Sequence, residues 1–442
     1  MWLKSFMVLL LLDLILPITV IFNLYLHFYP ALYGCSFPKT DKRERAPFRL
    51  LALGDPQLEG DTSLWRYQTS PLPPHSIPIK DRIAHEIRNV AKRIGYHQKR
   101  LDLWGNDCYL AQVYRSIARH TEPTHTAVLG DLLGSQWISD EEFNRRGRRF
   151  WEIFNDKKRP SRVTPENELA IVDVEKDTLL TLPGNHDIGY AGDMNRGRVV
   201  RYERMFGPAN YRVEPFPGLR VLVLNSMALD TPIYDSSLHE DSVNFLQKQH
   251  ASMTGNETVL LLTHLPMWKP AGLCVDAPDT AYFHSGGIRY QNFLSPAMSD
   301  WVRWAVWGDK KRGVVVTGHD HEGCDTTHWE SQPGKWDVCN TDDSESKGCS
   351  KHSGIREITV RAMMGEYGGY SGMLSGWFDP ESNEWKFDFS YCAMGRQHLW
   401  WAAWGFNVGT GVWVAIIIIL QAAETLVELE HRRRKFMIKK NV

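Results

Sequence analysis

The sequence predicts an α/β domain carried between two membrane-spanning helices, and three observations lead there. Six short apolar runs alternate with helical patterns through the middle of the chain. Two much longer apolar runs bracket that region, one near each end. Five of the six short runs end in aspartate, asparagine or histidine, side chains that are costly to bury at a strand end without a partner. The chain has 442 residues, room for one large domain or two ordinary ones.

Taken in order, residues 1–4 form a short N-terminus, and 5–29 are apolar apart chiefly from Asp13, Asn23 and His27. At about 1.5 Å per residue this stretch crosses roughly 30 Å of hydrocarbon. A cleaved signal peptide is the competing reading, but the apolar region is long for one and no A-x-A-like site follows. "LYGC" (32–35) only loosely resembles a lipoprotein box. Asp13 inside a membrane helix is functional by default, with pairing or snorkelling near the cytosolic face equally open. Residues 30–46 form a linker, 47–394 the folded domain, and 399–421 a second, uncharged span. Trp400, Trp401 and Trp404 open that span as an interfacial aromatic belt would. Residues 422–442 form a basic tail containing "HRRRK", and only Lys4 precedes the first span. The positive-inside rule therefore places both ends in the cytosol and the domain on the far side.

The tail ends in "KKNV". Lys439 and Lys440 look like the dilysine signal by which coat proteins return membrane proteins to the endoplasmic reticulum; a basic flank to a membrane helix is the plainer alternative. Asn256-Glu257-Thr258 is a glycosylation sequon on the lumenal side of this topology.

Within the domain, strands are expected at 49–55, 125–131, 178–187, 219–226, 258–266 and 313–321. Helices are expected at 107–120, capped by Asn106 or Asp107, and at 141–154, 195–206 and 299–307. A proline-rich loop, Pro71 to Pro78, leads into 81–100, where Ile83, Ile87, Val90 and Ile94 form a stripe among many basic residues. Packing against the domain is the expectation for that helix, and lying on a membrane is the alternative. "RRGRR" (145–149) reads as a solvated helix face, and a formal net charge of −1 argues against a nucleic-acid partner. The polar stretch 322–354 reads as a long surface loop. Three of the seven cysteines (Cys324, Cys339, Cys349) crowd it, which suits a disulfide in an oxidising compartment. A zinc-ligand role for Cys324 is the lesser alternative.

Strands of an open α/β sheet present ligands beyond their carboxyl ends. The side chains expected there are Asp55, Asp131, Asn185 with His186 and Asp187, His264, and His319 with His321. Any one histidine is ordinarily a packed or surface residue, but five strand ends delivering only Asp, Asn and His point to bound metal. With "GDPQ" (54–57), "GDLLG" (130–134), "GNHD" (184–187), "THLP" (263–266) and "GHDH" (318–321) in this order, the chain resembles the calcineurin-like metallophosphoesterases. That resemblance implies a β-sandwich of two sheets flanked by helices, here with one transmembrane helix at each end. "GDPQ", "WGNDCYLAQVYR" and the two flanking spans resemble the fungal branch that remodels GPI anchors in the endoplasmic reticulum.

By position, the resemblance implies one metal held by Asp55, Gln57, Asp131 and His321, and a second held by Asp131, Asn185, His264 and His319. His186 would then be the proton donor to the leaving group, or a clamp on the transition state, with Asp187 orienting its ring. Oxygen and imidazole ligands without thiolate favour Mn²⁺, with Fe or Zn²⁺ also open. Gln57 stands where the superfamily normally has histidine, and its amide oxygen is a neutral, hard ligand suited to Mn²⁺. The activity implied is a two-metal phosphodiesterase of the endoplasmic reticulum membrane, removing ethanolamine phosphate from a GPI mannose. Its implied partners are GPI-anchored proteins as substrates, their cargo receptors, coat proteins through the dilysine tail, and membrane lipid. The alternatives are a phosphatase or pyrophosphatase on another lipid- or sugar-linked phosphate, and a non-catalytic adaptor or receptor that keeps the fold.

Overall fold

In the computed structural model, which describes residues 2–71, 76, 78–162, 169–308, 313–332, 334–341 and 354–440, all six apolar runs contain strands. From the N-terminus, α1 (Trp2–Leu10) passes through a π-helical turn (Leu11–Ile15) into α2 (Leu16–Leu32). After a linker come β1 (Phe48–Leu53), α3 (Asp61–Leu64), α4 (Ile79–Thr121), β2 (His125–Val128) and α5 (Asp140–Ile153). A ribbon of β3 (Ser161–Arg162) and β4 (Val172–Asp173) precedes β5 (Leu179–Thr181), α6 (Asn185–Ile188), α7 (Arg196–Phe206), β6 (Tyr211–Phe216) and β7 (Leu219–Leu224). Next are α8 (Ser236–Ala251), β8 (Thr258–Thr263), a second ribbon of β9 (Thr280–Tyr282) and β10 (Ile288–Gln291), and α9 (Pro296–Trp307). The domain closes with β11 (Gly313–Thr317), β12 (Cys324–Gln332), β13 (Lys335–Asn340), β14 (Ile355–Thr359), β15 (Tyr370–Asp379) and β16 (Glu384–Ala393). The chain then enters α10 (Gln397–Lys440).

The strands make two facing sheets, ordered β16-β15-β1-β2-β5 and β13-β12-β14-β11-β8-β7-β6. In the seven-stranded sheet the centre is parallel and the edges are antiparallel, whereas in the five-stranded sheet β1, β2 and β5 run parallel and β15 and β16 pair antiparallel. Both faces of the central strands are buried, which is why their sequences are continuous apolar runs with no alternation. Leu50 and Ala52 of β1 meet Val221, Leu260 and Val314 between the sheets, whereas Leu51, Leu53, Leu222 and Leu261 face the helices. Truncating one of these buried leucines to alanine costs about 2–5 kcal/mol.

Strand register sets where the functional edge lies. Ala52, near the carboxyl end of β1, pairs with Gly372 of β15, and Tyr370 pairs with Ala393 at the end of β16. The chain reaches α10 four residues later, so the sheet edge beyond β1 is also the edge next to the C-terminal helix.

The helical hairpin outside the sandwich is antiparallel. Thr19 and Thr410 share a hydroxyl hydrogen bond of 2.7 Å, Asn23 donates to Asn407 at 2.9 Å, and Lys4 meets Glu424 at 2.5 Å. Polar pairs of this kind hold helices together where lipid removes the hydrophobic drive. Both helices are long and apolar enough to cross a bilayer, which fits a two-span membrane protein with its termini on one side and its domain on the other. Asp13 lies in the π-helical turn and is exposed.

Several expectations are corrected by packing. The helices expected at 81–100 and 107–120 are one, α4, with Pro78 at its N-cap position, so neither Asn106 nor Asp107 is a cap. Asp107 instead pairs with Arg149, and Asn106 accepts a hydrogen bond from Gln397. The stripe at the start of α4 is not packed against the domain: Ile83 and Ile87 are 56% and 63% exposed. "RRGRR" is not uniformly solvated, because Arg146 is fully buried, pairing with Glu142 at 2.8 Å and donating to the Leu58 carbonyl at 3.1 Å. The stretch expected to be a long loop contains the β12–β13 hairpin, whose buried Thr326, Thr327 and His328 concealed it from a hydrophobicity reading. Cys324 is disulfide-bonded to Cys274, and Cys35 to Cys392; Cys108 is the free thiol among the described residues. Cys349 lies outside the described residues, as does part of the proline-rich loop (72–75 and 77). Lys439 and Lys440 are in the last turn of α10, and the side chains of "KKNV" lie outside the described residues.

Candidate metal centre

The expected ligands come from five strand ends and form one connected cluster. The Asp55 carboxylate, fully buried beyond β1, accepts the His319 backbone N–H at 3.1 Å. His264, beyond β8, has its Nδ1 at 2.7 Å from the Leu129 carbonyl, and His319 has its Nε2 at 3.1 Å from the Gln291 carbonyl. A carbonyl only accepts, so those two ring nitrogens carry the protons. Each ring therefore turns a lone pair inward. His264 Nε2 and His319 Nδ1 face each other at 3.2 Å, with Asn185 Oδ1 at 3.1 Å and Asp131 Oδ1 at 3.4 Å from His264 Nε2. Four electron-pair donors converge with no proton among them, and a cation is the partner that fits. The Asp131, His264 and His319 ligand atoms all lie within 4.8 Å of one another.

The second position lies across Asp131. The Gln57 side-chain nitrogen is 3.0 Å from Asp131 Oδ2 and 3.1 Å from His321 Nε2. A half-turn of that amide places its oxygen at the same spot, so Gln57 sits where a ligand belongs, between the shared carboxylate and His321. These oxygen and imidazole donors suit divalent metal ions.

The local backbone is bent to make these approaches. Asp55, Gln57, Asp131 and His319 have φ of 48°, 42°, 49° and 77°, half of the eight non-glycine residues with positive φ among those described. Such strain persists only where surrounding contacts over-determine it, and it gathers at functional sites. Gly184 is required for close approach: a Cβ there would lie 2.2 Å from Asp131 Oδ1.

Electrostatics point the same way. Burial, and then the neighbouring Asp131 carboxylate, drive the Asp55 carboxyl well above its ordinary range. The same two causes push Asp187 up to about 8. Burial holds His319 down at about 3, with His264 adding to it, and burial also lowers His264 and His321. Neutral imidazoles are the ligating form, and carboxylates that burial and each other penalise are the groups a cation relieves.

His186 and Asp187 part company. His186 donates its backbone N–H to Asp131 Oδ1 at 2.8 Å, and its ring, 37% exposed, lines the cleft with Nε2 3.8 Å from Asp131 Oδ2. Asp187 was expected to orient that ring. Its oxygens instead accept the backbone N–H groups of Gly184 (2.9 Å), Leu133 (2.9 Å) and Leu132 (3.1 Å). It ties the loop carrying Asn185 and His186 to the loop carrying Asp131.

The cleft over the cluster has a volume of about 280 Å³, and its outer wall was not anticipated from sequence. Tyr190, Tyr290, Tyr367, Asp276, Asn292 and Glu322 line it. Tyr190 and Tyr290 meet edge to face at 5.8 Å, and Tyr367 packs on His321 at 4.5 Å. The Cys274–Cys324 disulfide ties the Asp276 loop to the segment after His321 and excludes Cys324 as a metal ligand. Behind the His264 loop is a second unanticipated group: buried Glu357 accepts from Met267 N–H at 2.7 Å, and meets Lys269 at 3.0 Å and His328 at 2.6 Å. Nothing in the local pattern of these residues marks them, because they are assembled from distant segments.

No family model matches the chain. Among curated proteins it is similar to Protein TED1 of Saccharomyces cerevisiae, 29% identical, with the alignment covering 87% of this chain and 93% of that protein. It is also similar to Metallophosphoesterase 1 of Danio rerio, 25% identical over 53% of this chain and 61% of that protein. Among solved structures, a dimetal phosphatase from Danio rerio aligns over 79% of this chain and 98% of its own, at 11% identity and a TM-score of 0.38, a likeness too loose to carry argument.

Proposed function

The chain is a calcineurin-like metallophosphoesterase, a metal-dependent phosphoesterase, and from that premise we propose that it works on GPI anchors in the endoplasmic reticulum lumen. There it hydrolyses the diester joining ethanolamine phosphate to a glycan mannose. The observation that carries this reading is the placement and lining of the cleft. Tyr367 of the cleft wall touches His321, and Gly365, two residues before it, lies against Gln397, the first residue of α10. A site so close to a membrane helix suits a substrate that stays in the bilayer. Among the described residues lining the cleft there is no lysine or arginine, while Asp276, Asp320 and Glu322 are acidic and three are tyrosines. That lining favours a zwitterion with an ammonium group and a neutral sugar over a pyrophosphate, which calls for cationic partners.

Asp55, Gln57, Asp131 and His321 would hold one ion, and Asp131, Asn185, His264 and His319 the other, with Mn²⁺ preferred over Fe or Zn²⁺. Bound there, two divalent ions supply charge that activates water and neutralises phosphate oxygens. His186, on the cleft face, passes a proton to the mannose oxygen as its bond to phosphorus breaks. Asn256, exposed before β8 and so at the end of that strand opposite His264, is placed to carry a glycan away from the active edge. The dilysine end of α10 returns the protein to the endoplasmic reticulum through coat proteins, and trimmed GPI proteins pass to their cargo receptors.

The test is release of ethanolamine phosphate from a GPI glycan, followed by mass spectrometry, with the full-length protein in lipid nanodiscs and added Mn²⁺. Loss of release in Asp131→Asn and His186→Ala is expected. Tight glycan binding with no release by the metal-loaded wild type would overturn the reading in favour of an adaptor.

A further inference from the structure

The first half of α4 presents an apolar surface for which the described residues provide no cover. Ile79, Ile83, Ile87, Val90, Ile94 and Leu101 are between 47% and 74% exposed. At about 100° per residue they fall within about 40° of one line along the helix, which makes them a single stripe roughly 33 Å long. Lys80, Arg93 and Arg100 are exposed beside it, and the opposite face is the one that meets the domain, through Asn89 on Ser70 at 3.0 Å and Lys92 on the Gln68 carbonyl at 2.8 Å.

What covers the stripe is indicated farther along the same helix. Trp104, Gly105 and Gln112 lie on the continuation of that face, and there the helix meets the membrane hairpin. The Trp104 ring packs against Trp404 at 4.9 Å and Trp400 at 6.3 Å, and a Cβ on Gly105 would strike Trp401. Gln112 hydrogen-bonds to His27 of α2 at 2.8 Å. These tryptophans form the aromatic belt of the second span, where a membrane helix crosses from hydrocarbon to headgroups. One helix thus turns a single face first to open space and then to the interfacial segments of both spans.

We propose that the first half of α4 lies in the lumenal membrane interface, its stripe immersed in lipid and its flanking basic residues at headgroup level. The helix then acts as a lateral outrigger. It extends from the two spans along the bilayer and fixes the tilt of the sandwich, and with it the height of the cleft above the lipid. Apolar burial supplies the attraction, so a zwitterionic bilayer suffices and anionic lipid is not needed.

The test reads position directly, without the enzymatic reaction. Full-length protein carrying Cys108→Ala, with Ile87→Cys or, on the other face, Arg88→Cys labelled by an environment-sensitive fluorophore, is placed in nanodiscs of phosphatidylcholine alone. Brominated phosphatidylcholine should quench the label at position 87 by roughly half and leave that at 88 nearly unchanged, as immersion of one face to the acyl boundary requires. A blue shift at 87 should persist at high salt. Equal, weak quenching at both positions would overturn the proposal. So would shielding of position 87 that brominated lipid does not quench and that dilution abolishes, which would assign the stripe to a second copy of the chain. A separate variant, Ile83→Asp with Ile87→Asp, should keep hydrolysis of a water-soluble diester and lose several-fold on a bilayer-embedded one. If that loss is absent while labelling shows immersion, the tilt-setting role falls and the membrane contact stands.

Discussion

Replacing Asp187 with asparagine separates two accounts of the "GNHD" motif. In the structure its carboxylate accepts three backbone hydrogen bonds at 2.9, 2.9 and 3.1 Å from two loops that both carry candidate ligands. Gly184 and Leu132 share one oxygen and Leu133 has the other. Asparagine can keep one oxygen in place, but its NH₂ group must then face an N–H. One hydrogen bond is lost and a buried donor is left unsatisfied, a cost of about 2–4 kcal/mol. In a domain of this size that lowers Tm by about 3–6 °C. Because the staple holds the Asp131 loop to the Asn185 loop, metal content should fall with stability. Differential scanning calorimetry and elemental analysis of the purified full-length variant measure the two. An unchanged Tm with both ions retained and kcat alone reduced would refute the staple and restore Asp187 as a group acting on the His186 ring.

Three further outcomes are expected. His186→Ala should lower kcat by about 10²–10⁴ while leaving metal content intact, since its ring lies outside the converging lone pairs; loss of an ion, read by elemental analysis, would make it a ligand. Gln57→Ala should loosen one ion, and Gln57→His should keep activity while shifting preference toward Zn²⁺, both read by metal titration; unchanged occupancy and rate in Gln57→Ala would place the residue outside the coordination sphere. Burial opposes the Glu357 carboxylate, but the Lys269 ammonium and the His328 ring outweigh it and hold the group down at about 2. A depressed carboxylate stabilises the fold above its unfolded value of 4.5 and loses that contribution as pH falls toward about 2. Glu357→Gln should therefore cost about 3–5 kcal/mol at neutral pH by leaving Lys269 buried without its counter-charge, and flatten the acid limb of a stability-versus-pH curve.

Local pattern was enough for the elements that bury one kind of surface. The six strand runs are continuous because both faces of each strand are covered, and the two terminal apolar runs form helices of the length that crossing a bilayer requires. The clustering of the strand-end residues Asp55, Asp131, Asn185, His264, His319 and His321 was legible for a related reason: polar side chains at the ends of apolar runs contradict their surroundings unless they meet partners there. Polar strands such as β12 escaped notice, since Thr326 and Thr327 look like loop residues until neighbouring strands pair with their backbone and bury them. The 81–100 stripe was misjudged because amphipathicity says that a face is covered but not by what.

Tertiary structure alone decided the remainder. It showed that Gln57 lies between Asp131 and His321, that Asp187 serves backbone and not the His186 ring, and that Cys274 partners Cys324. It brought Tyr190, Tyr290, Tyr367 and Asp276 to one cleft and set that cleft beside the start of α10. Each of these depends on segments far apart in the chain meeting at distances of a few ångströms. Periodicity reports what a residue's own element must bury; which atom from another element arrives there is settled only when the sheets close.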